Sequence, residues 1–288
     1  MVVAATGFFD GVHIGHQAVI KTLLETAGRQ DRQSLVITFW PHPRVFLQND
    51  ARDLRLLTFV DEKVAMLKGM GVDEVKVLPF TGEFASLSAK EYLQMMRDTC
   101  SVDSIVLGYD NRFGSDFLGT EQISTLAQAM GFDAQIVRRT EVSGFTVSSS
   151  RIRKELACGN VALASRMLGR DYSILGVVVG GKQMGRTIGF PTANLSLREP
   201  LKCIPGVGVY LSRVFLGRRT FWGMSNVDRQ GRVETHIFDF DEDIYGFDIE
   251  VTFMDRIRDE IVFSNFEELK NQLKIDEISA KRLIFAEQ

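Results

Sequence analysis

The chain has 288 residues, of which 45% are hydrophobic and 25% charged, and its formal net charge is −3. These values are typical of one large or two medium globular domains, and the weakly acidic balance excludes a broad nucleic-acid-binding face. No apolar run approaches the ~20 residues that span a bilayer, and the first eleven residues lack the features of a signal peptide. Cys100, Cys158 and Cys203 show no CxxC spacing, which excludes a cysteine-based zinc site and favours the cytoplasm.

Residues 1 to about 158 alternate short apolar runs with helical periods. Strands are predicted at 2–6 and 34–39 and in EVKVLPF, DSIVLGY and DAQIV, with amphipathic helices such as GHQAVIKTLLETAG between them. One of these helices begins with a capping box formed by Ser88 and Glu91. This alternation predicts a parallel sheet with helices on both faces.

After about residue 170 the pattern changes to period-two alternation, which predicts an antiparallel sandwich or barrel. The alternating segments are 208–216, 220–227, 234–240 and 248–257. Two closing helices are predicted, NFEELKNQLK and DEISAKRLIFAE, and a short helix with Asn160 as its N-cap joins the halves. The predicted organisation is a domain at 1–158, a linker helix at 159–170 and a domain at 171–288.

The stretch TGFFDGVHIGH follows the first predicted strand, where ligands bind in open α/β sheets. Gly7 and Gly11 allow close approach of the backbone or a positive φ, and Gly15 opens a helix whose N-terminus attracts anions. His13 and His16 are suited to donate hydrogen bonds to phosphate and to balance charge on a leaving group. A structural turn histidine is the plain alternative, but two of the chain's four histidines here favour an anion site.

Three further polar segments fall at the same predicted edge of the sheet. FWPHPR places His42 after the second strand, and GYDNRFG places Asp110 and Arg112 after the fourth. VSSSRIRKEL begins a helix with serines followed by Arg151 and Arg153. Each segment alone is compatible with solvated polar groups or an ordinary N-cap, but together they predict a phosphate-handling site.

The glycine-rich stretch GGKQMGRT almost fits the phosphate loop GxxxxGK[ST], with Arg186 in place of the lysine. That motif has to continue into a helix. Because Gly189 and Pro191 follow at once, no helix is predicted after the motif, and a phosphate-loop ATPase is rejected. A glycine-rich flap over a nucleotide remains open.

Two polar segments in the second half are candidate catalytic groups. PTAN places Thr192 and Asn194 on one face of an extended segment, with oxygens of the kind that Mg²⁺ prefers. ETHIFDF places Glu234 on a strand among apolar neighbours, which suits a general base. The plain alternatives are a proline turn and an exposed strand carboxylate.

Nine motifs in chain order resemble those of the bacterial bifunctional riboflavin kinase/FMN adenylyltransferase (FAD synthetase) family. GFFDGVHIGH, TFWPHPR, GYDNRFG and SSSRIR are similar to its adenylyltransferase module. GFPTANL, IPGVGVYL, GMSNV, ETHIFDFDEDIYG and RIRDEIVFSNFEELKNQLKID are similar to its riboflavin kinase module. The resemblance covers nearly the whole chain and implies an α/β Rossmann-like nucleotidyltransferase domain followed by a C-terminal antiparallel six-stranded β-barrel with terminal helices.

The resemblance also implies the site residues. ATP in the adenylyltransferase would be bound by Gly7, Phe8, Asp10, Gly11, His13, His16, Asp110, Ser148, Ser149 and Arg153. ATP in the kinase would be bound by Gly180, Gly185, Arg186, Thr192 and Asn194, and the last two would also bind Mg²⁺. Glu234 would be the catalytic base of the kinase, and His13 and His16 would be the catalytic pair of the adenylyltransferase.

The implied function is flavin cofactor biosynthesis: ATP-dependent phosphorylation of riboflavin to FMN, then adenylylation of FMN to FAD with release of pyrophosphate. We expect riboflavin, FMN, FAD and ATP as ligands, Mg²⁺ as cofactor, neither nucleic acid nor membrane as partner, and a cytoplasmic location. The oligomeric state is left open.

One segment departs from the family pattern. Asn226 and Glu234 are only eight positions apart, whereas family members carry a longer loop there. This leaves open an active adenylyltransferase with a weak or flavin-binding-only kinase domain. A non-catalytic flavin-binding regulator is disfavoured by His13, His16, Thr192, Asn194 and Glu234, and an HxGH transferase for a pantetheine or nicotinamide nucleotide is disfavoured by the C-terminal motifs.

Overall fold

The computed structural model describes residues 1–44, 54–181 and 184–286. The chain folds into two compact units, Met1–Ser149 and Ser150–Gln288. The predicted linker at 159–170 contains a helix, Val161–Leu168, and the domain boundaries stay predictions. Within the described ranges, no helix is both long and apolar enough to cross a membrane.

The first unit is built from strands and helices in alternation, and the described part of its main sheet has five strands. These are β1 (Val2–Thr6), β2 (Gln33–Trp40), β3 (Glu74–Pro79), β4 (Val102–Gly108) and β7 (Asp133–Val137). Two small hairpins pair β5 (Arg112–Phe113) with β6 (Leu118–Gly119), and β8 (Glu141–Val142) with β9 (Phe145–Thr146). The helices are α1 (Ile14–Gln30), α2 (Val60–Gly69), α3 (Gly82–Ser86), α4 (Ala89–Cys100), α5 (Thr120–Ala129) and α6 (Ser149–Ala157).

The main sheet is parallel and has the order β3-β2-β1-β4-β7. Alternate residues of β1 enter different apolar clusters, Ala4 on one face and Val3 and Ala5 on the other. This confirms the predicted sheet with helices on both faces. Because β1 pairs with β2 on one side and β4 on the other, the chain reverses its winding at β1, the position where α/β sheets bind ligands.

The second unit contains a closed antiparallel barrel, in the order β10-β11-β14-β13-β12-β15. Its strands are β10 (Tyr172–Val179), β11 (Ala193–Leu197), β12 (Gly208–Leu216), β13 (Arg219–Val227), β14 (Val233–Ile237) and β15 (Asp248–Arg258). Its helices, in the described residues, are α7 (Val161–Leu168), the one-turn α8 (Met184–Thr187) and α9 (Phe266–Ala286). The alternation of buried and partly exposed residues along β14 follows the period-two pattern, and the six-stranded barrel is confirmed.

One local prediction was wrong. The two predicted closing helices form one continuous helix, α9. At the expected break, Asp276 accepts hydrogen bonds from Arg258 on β15 and from Gln272 one turn earlier in the helix. One helical turn, α8, lies inside the glycine-rich motif, and no helix directly follows the motif among the described residues, as predicted. It ends just before Gly189, whose φ of +86° is incompatible with a continuing helix, and Lys182 and Gln183 lie outside the described residues.

The ion pair that fastens α9 to the barrel yields a stability prediction. Arg258 binds Asp276 with both Nε and Nη2, and the Asp276 side chain is only 1% exposed. We expect Asp276→Ala to lower the free energy of unfolding by about 3–5 kcal/mol, because the Arg258 charge would be left without its buried partner. Urea denaturation measures this loss.

The matched control is Asp248→Ala, which removes an equally bidentate pair with Arg198. Because the Asp248 side chain is 47% exposed, its removal is expected to cost less than about 1 kcal/mol. Equal losses of stability in the two variants would contradict the prediction.

Candidate active sites

The glycine-rich loop after β1 is held in place by a buried carboxylate. The Asp10 side chain, in a residue 3% exposed, accepts hydrogen bonds from the backbone N–H groups of Leu57 (2.9 Å) and Thr58 (3.0 Å). The next residue, Gly11, has a φ of +83° that favours glycine and donates its N–H to the Thr58 hydroxyl. This geometry favours a supporting role for Asp10, and its expected contact with ATP stays a prediction.

The two histidines lie together at the start of α1, as the sequence predicts. His13 is the N-cap of the helix, and its Nδ1 accepts the backbone N–H of His16 at 3.2 Å. The two imidazole rings are stacked with centroids 3.5 Å apart. Both rings therefore lie at the positive end of the helix dipole, where an anion is stabilised.

The electrostatic environment keeps His16 neutral. Burial is the main reason that the pKa of His16 lies well below 6.5, and the nearby His13 and Lys63 lower it further. Its Nδ1 is buried and has no hydrogen-bond partner within the described part of the chain. A neutral imidazole still donates one N–H to a phosphate, but it does not bring the full positive charge that charge balancing would require.

The segments from the other strand ends adjoin this loop. The His42 ring packs edge-on against Phe8, with ring centroids 4.1 Å apart. Asn111 joins β4 to β1, because its Oδ1 accepts the N–H of Gly108 (2.6 Å) and its Nδ2 donates to the carbonyl of Thr6 (2.9 Å). Asn111 was not predicted as a site residue, although an amide directly after a strand end was a usable signal.

Asp110 and the serine segment also lie at the carboxyl-terminal edge of the parallel sheet. Asp110 is exposed, so its carboxylate is accessible to a ligand. The Ser149 hydroxyl donates to the carbonyl of Asp10 at 2.8 Å instead of capping its own helix, and it thereby fastens the serine segment to the glycine-rich loop. Ser148 is partly exposed beside it. Arg153 belongs to the second unit, and its contact with ATP stays a prediction.

In the barrel, strand register brings the candidate catalytic residues side by side. Glu234 on β14 is paired with Asn194 on β11 and with Asn226 on β13. Directly paired residues project from the same face of a sheet, so the three polar side chains form one row. Asn226 was not predicted as a site residue, because only the register reveals that it stands beside Glu234.

Two cavities of about 240 Å³ each share Thr192 in their walls, and the second of them is lined by Asn226 and Glu234 of this row. The first cavity is also lined by Arg186 and by the segment 240–245. The second contains Asn226 and Glu234 among largely apolar residues, which include Ile188, Phe190, Met224, Leu269 and Leu273. The apolar wall of the second cavity suits a flat ring, whereas the first cavity combines the Arg186 guanidinium with the carboxylates of Asp241, Glu242 and Asp243.

The glycine-rich flap packs closely on PTAN. A side chain at Gly181 would collide with the Asn194 amide, and one at Gly185 would collide with the Phe190 carbonyl. Only glycine permits such close approach of the backbone. Gly180 is exposed at the end of β10, so all five predicted ATP residues of the barrel lie in or beside the flap.

The short loop between Asn226 and Glu234 forms a closed turn. Asp228 Oδ1 accepts the N–H groups of Gln230 and Arg232, each at 2.9 Å. Burial alone would raise the pKa of Asp228, but these hydrogen bonds and the Arg232 guanidinium lower it below its usual value. With this turn, β13 still pairs with β14, and Glu234 keeps its place beside Asn226 despite the shortened loop.

The oxygens of Thr192 and Asn194 are compatible with a magnesium ion that also binds substrate phosphates and water. Such ions keep few protein ligands, and the two side chains lie at the junction of the flap and the first cavity. Within the described residues, no group of three or more His, Cys, Asp or Glu side chains is placed to hold a metal.

Comparisons with known proteins agree on both units. The family model described as FAD synthetase matches residues 1–151, and that described as riboflavin kinase matches residues 168–284. A bifunctional riboflavin kinase/FMN adenylyltransferase from Listeria monocytogenes is 36% identical over 96% of this chain and 90% of its own length. The protein of the same name from Bacillus subtilis is 34% identical over 97% and 92%, respectively. A crystal structure described as a macrolide-efflux protein from Streptococcus pneumoniae has a TM-score of 0.89 and 35% identity, covering 97% of this chain and 93% of its own.

Proposed function

Because this chain belongs to the bifunctional riboflavin kinase/FMN adenylyltransferase family, we propose that the residues described above carry out two successive reactions. The barrel phosphorylates riboflavin with ATP to give FMN. The α/β unit transfers AMP from a second ATP to FMN, which gives FAD and pyrophosphate. The observation that carries the assignment of residues is the alignment of Asn194, Glu234 and Asn226, with Asn226 and Glu234 lining one of two cavities that share Thr192.

In the kinase reaction, the apolar second cavity binds the flavin ring and the first cavity binds ATP. Glu234 lines the flavin cavity and accepts the proton of the 5′-hydroxyl as that oxygen attacks the γ-phosphorus of ATP. The bond from the γ-phosphorus to the bridging oxygen breaks, and ADP leaves. Positioning of the two substrates accounts for most of the catalysis in such transfers.

We assign Thr192 and Asn194 as the residues that would hold Mg²⁺ together with the phosphates of ATP. When bound, the ion supplies positive charge at the transferred phosphoryl group. Thr192 is at the boundary of the two cavities, which is the point where that group passes from one substrate to the other.

In the adenylyl transfer, a phosphate oxygen of FMN attacks the α-phosphorus of ATP, and the bond to the departing pyrophosphate breaks. No protein nucleophile is required. His13, His16 and the N-terminus of α1 stabilise the charge that develops on the phosphates. Ser148, Ser149 and Arg153 complete the proposed phosphate contacts, and Asp110 faces the ligand from the end of β4.

Incubation of the protein with riboflavin, ATP and Mg²⁺, followed by chromatographic separation of the flavins, tests this function. We expect both FMN and FAD, and absence of both products would overturn it. FAD from supplied FMN without FMN from riboflavin would select the binding-only barrel, an alternative that the intact row around Glu234 does not favour. A cytoplasmic location stays a prediction.

A further inference from the structure

Lys63, on α2, is a buried cation for which the sequence analysis gave no role. The residue is 1% exposed, although lysine is among the residues least often fully buried. Its Nζ donates to the carbonyl of Phe8 at 2.7 Å and lies 3.9 Å from the centroid of the Phe8 ring. Lys63 therefore supports the glycine-rich loop from beneath at Phe8, which is next to the proposed phosphate site.

The titratable groups around Lys63 belong to that same site. The Asp10 carboxylate attracts its charge, and the Lys63 charge in turn disfavours protonation of His16. His13 is stacked on His16, and His42 contacts the Phe8 ring. Burial lowers the pKa of Lys63 to about 8, with Asp10 opposing this shift.

The hydrogen bond to Phe8 does not by itself explain a charge at this position. The Phe8 carbonyl already accepts a hydrogen bond from the Thr38 hydroxyl at 3.1 Å, so it would not be left unsatisfied without Lys63. Burying an ammonium group costs several kcal/mol, and the Phe8 hydrogen bond, the Phe8 ring and the Asp10 carboxylate offset part of that cost. A ligand with several negative charges next to the loop would offset that cost.

We propose that Lys63 is a positioning residue for ATP in adenylyl transfer, holding the Phe8 backbone and supplying positive charge beneath the glycine-rich loop. The proposal rests on the adenylyltransferase function proposed above. It assigns the electrostatic attraction of the phosphates to a residue beneath the loop, while the rings and backbone N–H groups of the loop and of α1 make the direct contacts.

The test compares Lys63→Met, which is neutral and similar in length, with Lys63→Arg, which keeps the charge. We expect Lys63→Met to raise the KM for ATP in FAD formation about 10- to 100-fold, because a charge-assisted interaction is lost, and Lys63→Arg to restore most of it. FMN formation from riboflavin by the same chain should stay unchanged. Lys68→Met, an exposed lysine on the same helix, is the matched control.

The pH profile is a second measurement that a merely structural role would not move. The protonated form of Lys63 attracts ATP. The value of kcat/KM for ATP should therefore be highest well below pH 8 and fall as the pH rises through the lysine pKa of about 8. The Lys63→Arg variant should shift this fall to higher pH, and Lys63→Met should abolish it.

Several outcomes overturn the proposal. An unchanged KM for ATP in a folded Lys63→Met variant would do so. A wild-type kcat/KM for ATP that does not fall near pH 8 would also do so, and this measurement does not require the Lys63→Met variant to fold. A fall of the same size and position in Lys63→Arg would also contradict it. A wild-type protein that makes no FAD would instead refute the underlying adenylyltransferase function.

Discussion

Glu234→Gln is expected to abolish FMN formation from riboflavin while FAD formation from supplied FMN continues. Glutamine preserves the size of the side chain and its place between Asn194 and Asn226. An amide does not accept the hydroxyl proton, so we expect kcat for FMN formation to fall by about 10²- to 10⁴-fold. Separate assays with riboflavin and with FMN as substrate measure the two activities.

Glu250→Gln is the matched control for this substitution. Glu250 is also a half-buried glutamate on a strand of the barrel, but it does not belong to the row around Asn194. It should leave both activities unchanged. A Glu234→Gln variant that still phosphorylates riboflavin at the wild-type rate would refute the general-base assignment, and loss of both activities would mean that the two reactions depend on each other.

His16→Ala is expected to have the opposite effect, reducing FAD formation from FMN and sparing FMN formation. The loss of one donor at a developing charge lowers kcat by about 10²- to 10³-fold. Because the lowered pKa of His16 keeps its ring neutral at physiological pH, we expect His16→Asn, a neutral N–H donor, to retain more activity than His16→Ala.

The pH dependence distinguishes a neutral His16 from a charged one. The neutral ring is the form above its pKa, so the His16-dependent rate should not step near pH 6.5, the ordinary pKa of histidine, and should change only at lower pH. Lys21→Ala, at an exposed position on the same helix, controls for general effects on α1. An unaffected FAD yield in His16→Ala would remove the phosphate role assigned to this residue.

Regular patterns made the two fold classes predictable. The alternation of strands and helices before residue 158 gives a parallel sheet, and period-two alternation after residue 170 gives an antiparallel barrel. The proximity of His13 and His16 was also predictable, because both residues lie at the start of the helix that follows the first strand. Local spacing is enough for these features, whereas the order of the strands is seen only in the structure.

The features that were missed depend on contacts between distant residues. Lys63 lies in an ordinary-looking helical segment, and its burial depends on Phe8, 55 positions away in the chain. Asn226 stands beside Glu234 only because the Asp228 turn sets the strand register. Asp10 also supports the glycine-rich loop by accepting hydrogen bonds from the backbone groups of Leu57 and Thr58, which no local pattern indicates.

Thr192, which lines both cavities of the barrel, has a thermodynamic consequence for substrate binding. An occupant of either cavity restricts the side chain that forms part of the other cavity's wall. Any factor by which flavin changes the affinity for nucleotide must be matched by an equal change in the affinity for flavin when nucleotide is bound. With riboflavin and ATP in the two cavities as proposed above, we therefore expect the binding of each to change the affinity for the other, and the same reciprocity for FMN and ADP.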